Sequence, residues 1–230
     1  MDDRLESWAR AAVWALPAYG VLLAISTITQ QPDYRTDFPA YADYVTTTTF
    51  LASHVIASIA GAALGLIGAA ALFVLTERAS PGRAKTGFVL SAFGHAGLLS
   101  IFGVAAFAQP AIGDAFLNGD RAAAEAINAA VYDGPLVPVA ALSLLVFIAG
   151  GILLGMAARR LTLWPRWIGT AFAASITVFA IGLLVEIPYL QPVAGMGVAV
   201  AGAAAARTAR ATVYGRAGTI AERMSVGSLR

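Results

Sequence analysis

Apolar residues in this chain run in long blocks, and the polar residues are collected in the segments between them. Six blocks are candidates for membrane-spanning helices, since about 20 apolar residues cross the hydrocarbon core of a bilayer. They cover roughly residues 8–29, 49–75, 87–108, 136–158, 168–187 and 190–206. The first block has no convincing cleavage site, so we interpret it as a retained helix rather than a signal peptide. The pattern predicts an all-α, polytopic membrane protein built as a six-helix bundle.

The charged residues support this segmentation and indicate an orientation. Short cytoplasmic loops of membrane proteins are enriched in Lys and Arg. With a cytoplasmic N-terminus, all 15 basic residues except Arg35 and Arg121 fall in predicted cytoplasmic segments. Without the weak sixth helix, the arginines from Arg207 onward would lie outside, against this rule. We therefore expect a multi-pass protein of the cytoplasmic (inner) membrane with both termini in the cytoplasm.

The chain divides into a transmembrane domain, residues 1–206, and a basic cytoplasmic tail, residues 207–230. The tail carries several arginines and a single glutamate, so we expect it to attract anionic lipid at the membrane surface. Docking of a protein partner is the alternative role for the tail.

Composition agrees with a location in the bilayer and excludes several classes of protein. The chain is 59% hydrophobic and 12% charged, with a mean hydropathy of +0.74. Soluble proteins carry about 25% charged residues. This deficit excludes an intrinsically disordered chain and a nucleic-acid-binding module, despite a pI near 9.1. The sequence contains no cysteine, which excludes disulfides, iron–sulfur clusters and thiolate zinc sites.

The two predicted outer loops, residues 30–48 and 109–135, are acidic instead of basic. In the second loop, Asn118-Gly119-Asp120 predicts a turn and a helix N-cap, followed by apolar residues at helical spacing. We expect a short helix that packs as a lid over the bundle. An external binding surface is the alternative.

A Gln-Pro dipeptide closes each predicted outward-running helix, at residues 31–32, 109–110 and 191–192. The near-equal spacing of these dipeptides suggests three repeated helical hairpins. The alternative is that each proline ends a helix where the chain meets water.

Small residues indicate where helices pack closely. One stripe on the second predicted helix recurs at steps of four and three residues: His54, Ser58, Gly61, Gly65 and Gly68. Residues 61–65 match the GxxxG packing motif, and so do Gly151 and Gly155 on the fourth predicted helix. We interpret both motifs as seams within the chain, with contacts between copies of a homo-oligomer as the alternative.

His54 and His95 are the only histidines, and both lie inside predicted helices. Two histidines are possible axial ligands for haem. Their positions relative to the helix centres place them roughly 15 Å apart along the membrane normal, whereas two ligands of one iron lie within about 4 Å of each other. A shared haem is therefore disfavoured and no cofactor is predicted, although one histidine with another partner stays open. We interpret His95, which has glycines on both sides, as a structural hydrogen-bonding residue.

His54 is the main candidate for a functional role, because an ionisable residue at membrane depth is a functional-site hypothesis by default. It lies near the outer end of the small-residue stripe, and Glu186 is the only carboxylate predicted at the membrane core. At similar depth His54 and Glu186, with Ser58, could bind a cation or small ligand or pass a proton. The alternatives are a His54 bonded to a neighbouring hydroxyl or carbonyl group and a Glu186 that meets water at the interface.

The motifs that mark known membrane enzymes do not occur in the sequence. It lacks GxSxG for a serine nucleophile, HExxH for zinc and a glycine-rich phosphate loop. We expect a non-enzymatic protein that binds or transports a small ligand or ion through an outward-facing intramembrane pocket. An accessory or anchor subunit of a larger membrane complex is the alternative, and a haem-binding or hydrolytic enzyme is a less favoured one.

Two motifs also resemble a known family. The segment Gly103-Val-Ala-Ala-Phe-Ala-Gln-Pro-Ala-Ile-Gly113 is followed by an acidic loop, an apolar helix ending in Ala158-Arg159-Arg160, and Leu163-Trp-Pro-Arg-Trp-Ile-Gly169. This order resembles a group of uncharacterised multi-pass membrane proteins from high-GC bacteria, over about residues 50–206. The resemblance implies a helical fold and a membrane location, and it implies no catalytic residue.

Overall fold

The computed structural model describes residues 3–185, 187 and 189–227, with side chains as far as residue 211. In this part of the chain all regular secondary structure is helical and there is no β-strand. The elements in chain order are α1 (Asp3–Ala12), α2 (Ala15–Ser26), α3 (Phe38–Val45), α4 (Thr48–Ala52), a π-helix (Ser53–Ala60), α5 (Gly61–Thr76), α6 (Pro81–Leu117), α7 (Arg121–Tyr132), α8 (Leu136–Ala158), α9 (Arg166–Gly182) and α10 (Leu190–Gly227). The predicted all-α class is confirmed.

Four helical runs in the described chain are long and apolar enough to cross a membrane: Asp3–Ser26, Thr48–Thr76, Pro81–Leu117 and Arg121–Ala158. The helix α9 is apolar but shorter. Large apolar side chains cover the outside of the bundle, and Phe93 and Phe107 on α6 are 69% and 67% exposed. Contiguous apolar surface of this kind is unfavourable in water and favourable in lipid. The long apolar helices and the apolar outside of the bundle therefore favour a helical membrane protein.

The long helices close into a bundle. The helix α5 packs against α2 and α6, and α6 runs alongside α8. The helix α9 contacts both α8 and α10, and α10 returns to α2. The first and last apolar helices are therefore neighbours, around a core that includes Tyr19, Phe147 and Phe179.

Glycines allow the closest of these helix contacts. A Cβ atom added at Gly94 on α6 would lie 2.6 Å from the Cα of Phe147 on α8. One added at Gly195 on α10 would lie 2.7 Å from the backbone nitrogen of Ala24 on α2. Neither position has room for a side chain, so these two seams depend on glycine.

Two of the apolar blocks do not form the single continuous helix that was predicted for them. The first block is split between α1 and α2, because Pro17 has no N–H to donate to the carbonyl of Val13. The N–H of Leu16 donates to this carbonyl instead, at 3.1 Å. The fifth block was expected to be helical as far as residue 187, but α9 ends at Gly182. The following Pro188 disfavours a helical conformation at Ile187.

The prediction that a Gln-Pro dipeptide ends each outward-running helix is wrong at two of the three sites. The helix α6 continues through Pro110 to Leu117, and Gln191 and Pro192 lie in the first turn of α10. A proline in the first turn of a helix removes only an N–H that has no helical acceptor. At Pro110 the helix loses one backbone hydrogen bond and continues. The threefold repeat stays a prediction.

The helix α6 has 37 residues and is about 55 Å long at 1.5 Å per residue. This length exceeds the hydrocarbon core of a bilayer, which is about 30 Å thick. The last turns of α6 contact α3 and α7, the two short helices of the predicted outer loops. This end of α6 therefore supports a separate layer of structure over the bundle.

Candidate functional site

A cavity of about 490 Å³ lies at the end of the bundle that carries α3 and α7. Six segments line it: the end of α2 with the loop that follows, α3, the π-helix, α6, the end of α9 with the turn that follows, and the start of α10. Its described lining residues are Ser26, Thr27, Thr29, Gln30, Gln31, Asp33, Tyr44, His54, Ser58, Phe102, Phe179, Gly182, Leu183, Leu184, Val185, Ile187, Tyr189, Gln191 and Pro192. The cavity combines hydroxyl and amide groups with an apolar part formed by phenylalanines and leucines.

The two predicted site residues of the second apolar block, His54 and Ser58, both line this cavity. Both lie on the π-helix, whose wider turns are uncommon and are found frequently at functional sites. Ser58 is buried, and its hydroxyl donates to the carbonyl of Ser53 at 3.5 Å. The sequence pattern predicts a helix here but carries no signal for the π-helical geometry.

Hydrogen bonding determines which nitrogen of His54 is available to a ligand. The Nδ1 atom lies 3.0 Å from the carbonyl oxygen of Phe50 and 3.2 Å from the hydroxyl of Ser53. The carbonyl oxygen can only accept, so Nδ1 carries the proton and Nε2 of the neutral ring is an acceptor. Among the described residues, Nε2 has no hydrogen-bond partner. The imidazole also stacks on Phe50, with ring centroids 4.1 Å apart, which holds its orientation.

The rim of the cavity is held by local contacts. The hydroxyl of Tyr44 donates to Thr29 at 2.8 Å, which links α3 to the loop after α2. The carboxylate of Asp33 accepts from the backbone N–H of Arg35 at 3.0 Å. Tyr189, another lining residue, has a φ of 63°, in the left-handed region that is unfavourable for an aromatic residue. Strained backbone of this kind is found more often at binding sites than elsewhere.

Glu186, the predicted partner of His54, lies outside the described residues. Its neighbours in the chain, Val185 and Ile187, both line the cavity. Among the described lining residues, Asp33 is the only carboxylate, and no Lys or Arg is present. The described wall therefore offers hydrogen-bond acceptors and negative charge, with no cation to attract an anion.

His95 does not line the cavity. It is 4% exposed, its Nδ1 donates to the carbonyl of Ser91 at 2.7 Å, and its ring packs between Tyr19 and Phe147. Its Nε2 and the hydroxyl of Tyr19 are buried without a partner among the described residues. The structure places the two histidines in different surroundings.

The predicted packing glycines lie against other helices of the same chain. Gly61 lies against Leu22 of α2, Gly65 against His95 and Tyr19, and Gly68 against Leu16 of α2. On α8, Gly151 lies against Ile176 of α9 and Gly155 against Gly169 of α9.

The helices α3 and α7 form a layer over one end of the bundle, called the outer layer here because both helices belong to the predicted outer loops. The hydroxyl of Tyr41 donates to Asn128 at 3.1 Å, and both side chains are buried. Arg35 pairs with Asp133 at 3.1 Å, and the hydroxyl of Tyr34 donates to the same carboxylate at 3.3 Å. Burial raises the pKa of the phenols of Tyr41 and Tyr34 above the ordinary value of 10.0. These contacts join the two predicted outer loops.

The sequence predicted a helix in the second predicted outer loop, which is α7, but none in the first, where α3 lies. The helix α7 follows Gly119, which has a φ of 103°, and Asp120, whose side chain makes no cap hydrogen bond. The helix α3 was missed, although Asp37 accepts from the N–H of Ala40 as an N-cap and Pro39 lies in the first turn. An Asp followed by a proline at this spacing is a recognisable helix start.

Within the described residues, no three His, Asp or Glu side chains lie close enough together to hold a metal ion. No protein-family model, curated protein or solved structure matches this chain. The function therefore has to be inferred from the geometry of the cavity itself.

Proposed function

We propose that this protein crosses the cytoplasmic membrane six times and binds or passes a small ligand through the cavity lined by His54 and Ser58. The ligand is a neutral or cationic amphiphile that donates a hydrogen bond to Nε2 of His54. The observation that carries this proposal is a histidine held by Phe50 and Ser53, with its acceptor nitrogen unpartnered among the described residues, on the wall of a cavity of about 490 Å³.

The arrangement of the loops supports the six crossings and the orientation. Residues of both predicted outer loops meet at one end, where Arg35 pairs with Asp133. Residues of the predicted cytoplasmic segments meet in a second cavity, where Arg10, Arg78 and Thr162 come together. Consecutive apolar helices therefore alternate in direction. Both termini lie on the cytoplasmic side in this arrangement, and the cavity lined by His54 opens outward.

The chemistry of the cavity supports the ligand class. The acceptor nitrogen of His54, the side-chain amide oxygens of the lining glutamines and the carboxylate of Asp33 favour a hydroxyl or amine as the polar group. Phe102 and Phe179 favour an apolar body. Glu186 supplies a further negative charge in this proposal and pairs with a cationic ligand or with protonated His54.

Three fluorescent probes of similar size test this proposal on the purified full-length chain: naphthol, naphthylmethylamine and naphthoate. We expect saturable binding of the hydroxyl and amine probes and none of the carboxylate probe. His54→Ala should weaken naphthol binding about fivefold, because a hydrogen bond contributes about 1 kcal/mol. Glu186→Gln should weaken binding of the amine and leave naphthol binding unchanged.

Ser100→Ala is the matched control, because its hydroxyl is exposed on α6 away from the cavity and donates to the carbonyl of Ala96. Naphthoate binding as tight as naphthol binding would contradict the charge argument. Unchanged binding in both His54→Ala and Glu186→Gln would overturn the proposal. A stoichiometric protein that co-purifies and covers the cavity would favour an accessory subunit instead.

A further inference from the structure

A second cavity, of about 210 Å³, lies at the opposite end of the bundle from the first. It lies between α1, the end of α5, the loop from α8 to α9, and α10. Its lining residues are Glu6, Arg10, Val74, Leu75, Arg78, Ala79, Leu161, Thr162, Leu163, Trp164 and Ala209. None of them belongs to the wall of the cavity that contains His54.

Among the described lining residues of this second cavity, two arginines and one glutamate are charged, so positive charge is in excess there. Arg10 pairs with Glu6 one helical turn earlier, and Arg78 adds another guanidinium group. The side chains of Arg10 and Glu6 are only 21% and 23% exposed, so this ion pair is screened less than a surface pair. A guanidinium group carries five N–H donors, so Arg10 can hold Glu6 and still donate to another acceptor. The cavity favours an anion with several acceptor oxygens.

Apart from Thr162, the rest of the described wall is apolar. Val74, Leu75 and Leu161 form one part, and Trp164 is buried beside them. Leu163 is 64% exposed, so apolar wall and lipid-facing surface are continuous. Tryptophan is enriched where helices meet the headgroup region of a bilayer. Guanidinium groups beside an apolar surface at this depth match a molecule with a phosphate group and a hydrocarbon chain.

We propose that this cavity is a binding site for one anionic phospholipid, with its phosphate held by Arg10 and Arg78 and an acyl chain along Leu163. Basic pockets between membrane helices bind phospholipid headgroups in this way. The tail contributes Ala209 to the wall, but the arginines of the site are separate from those of the tail, since they lie on α1 and in the turn after α5. It is also independent of the ligand proposed for the cavity with His54.

Native mass spectrometry of the full chain tests the site, after exchange into detergent that contains equal amounts of phosphatidylglycerol and phosphatidylcholine. We expect one retained phosphatidylglycerol molecule and about tenfold less retention in Arg78→Gln. Lys85→Gln is the matched control, because it removes an exposed positive charge near the same end outside the cavity. Its retention should stay within about twofold of the parent protein. Equal losses in Arg78→Gln and Lys85→Gln would overturn the proposal.

Glu6→Gln should change the retention of phosphatidylglycerol in the opposite direction to Arg78→Gln. It removes the negative charge of the cavity and releases Arg10, so retention of phosphatidylglycerol should rise severalfold while that of phosphatidylcholine stays constant. Unchanged or lower retention in a folded Glu6→Gln protein would contradict the site. Inorganic phosphate, added in excess, should not displace the lipid, because it has no chain to occupy the apolar wall. Displacement by phosphate would overturn the lipid assignment.

Discussion

His54 and His95 make the same local hydrogen bond in different surroundings. Each donates from Nδ1 to the carbonyl oxygen four residues earlier, at 3.0 Å to Phe50 and 2.7 Å to Ser91. In both rings Nε2 is then the acceptor. His54 lines a cavity, whereas His95 is buried against Gly65, Tyr19 and Phe147. The surroundings, more than the residue type, distinguish a candidate binding group from a packing group.

The contact between Gly65 and His95 leads to a stability prediction. A methyl group at Gly65 would overlap the imidazole of His95 and lie 2.9 Å from Tyr19 Cε1. We expect Gly65→Ala to lower the free energy of unfolding by about 1–3 kcal/mol, the usual cost of an overpacked core. The thermal unfolding midpoint in detergent measures this effect.

Gly103→Ala is the matched control, since a Cβ there meets no atom within 4 Å. Its midpoint should equal or exceed that of the parent protein, because alanine has the higher helix propensity. Shortening His95 to alanine in the Gly65→Ala background should recover part of the loss. Equal midpoints for the two single variants would show that α5 and α6 do not meet at Gly65.

At the scale of elements, the outer layer is held by two kinds of contact. The pair between Arg35 and Asp133 is exposed, and pairs of this kind contribute about 0–1 kcal/mol. The hydrogen bond between Tyr41 and Asn128 is buried, and loss of one partner would leave the other unsatisfied. Of these two polar contacts, the hydrogen bond between Tyr41 and Asn128 therefore contributes more to holding α3 and α7 together.

This buried phenol makes the outer layer sensitive to alkaline pH. Burial raises the pKa of Tyr41 above 10.0, so the folded protein keeps the phenol proton at a pH where the unfolded chain has lost it. The stabilisation is complete below pH 10 and declines as the pH rises further. We expect the thermal midpoint to fall above pH 10 more steeply in the parent protein than in Tyr41→Phe.

Tyr41→Phe should also start from a lower midpoint at neutral pH, because Asn128 loses its hydrogen-bond donor. Tyr34→Phe is a useful comparison, since its phenol is more exposed and bonds to the exposed Asp133. Identical pH slopes for the parent protein and Tyr41→Phe would rule out Tyr41 as the group responsible.

At the scale of the whole molecule, the ring from α2 through α5, α6, α8 and α9 to α10 leads to a topology prediction. The chain has no cysteine, so single cysteines introduced into loops can be labelled without background. We expect a membrane-impermeant maleimide to label Asn118→Cys in intact cells. It should label Ser80→Cys and Thr162→Cys only after the membrane is permeabilised.

A fourth cysteine, near the C-terminus at Ser225, tests whether α10 completes the sixth crossing. Labelling of Ser225→Cys only after permeabilisation agrees with six crossings, and labelling in intact cells would indicate five. Labelling of Ser80→Cys in intact cells would reverse the proposed orientation. Each outcome is read against total labelling in detergent.

Much of the fold could be predicted from the sequence. The helical class and the approximate positions of the apolar helices follow from hydropathy, because every backbone donor and acceptor within a bilayer has to be satisfied and a helix does this locally. The distribution of arginines predicts an orientation, because Lys and Arg are enriched in short cytoplasmic loops. The breaks at Pro17 and after Gly182 were less predictable, because apolar composition continues across both. The number of crossings and the orientation stay predictions.

Only part of the candidate site could be predicted from the sequence. His54 stood out because an ionisable residue is costly at membrane depth, and Ser58 because it follows His54 in the stripe of small residues. The hydrogen bonds that leave Nε2 of His54 as the acceptor are local, to Phe50 and Ser53, but the cavity that this nitrogen lines depends on how α2, α9 and α10 come together. The same is true of Arg35 with Asp133 and of Arg10 with Arg78. Sequence alone determined which segments are helical and apolar, whereas only tertiary packing decided which polar groups meet, because their spacing depends on contacts between distant helices.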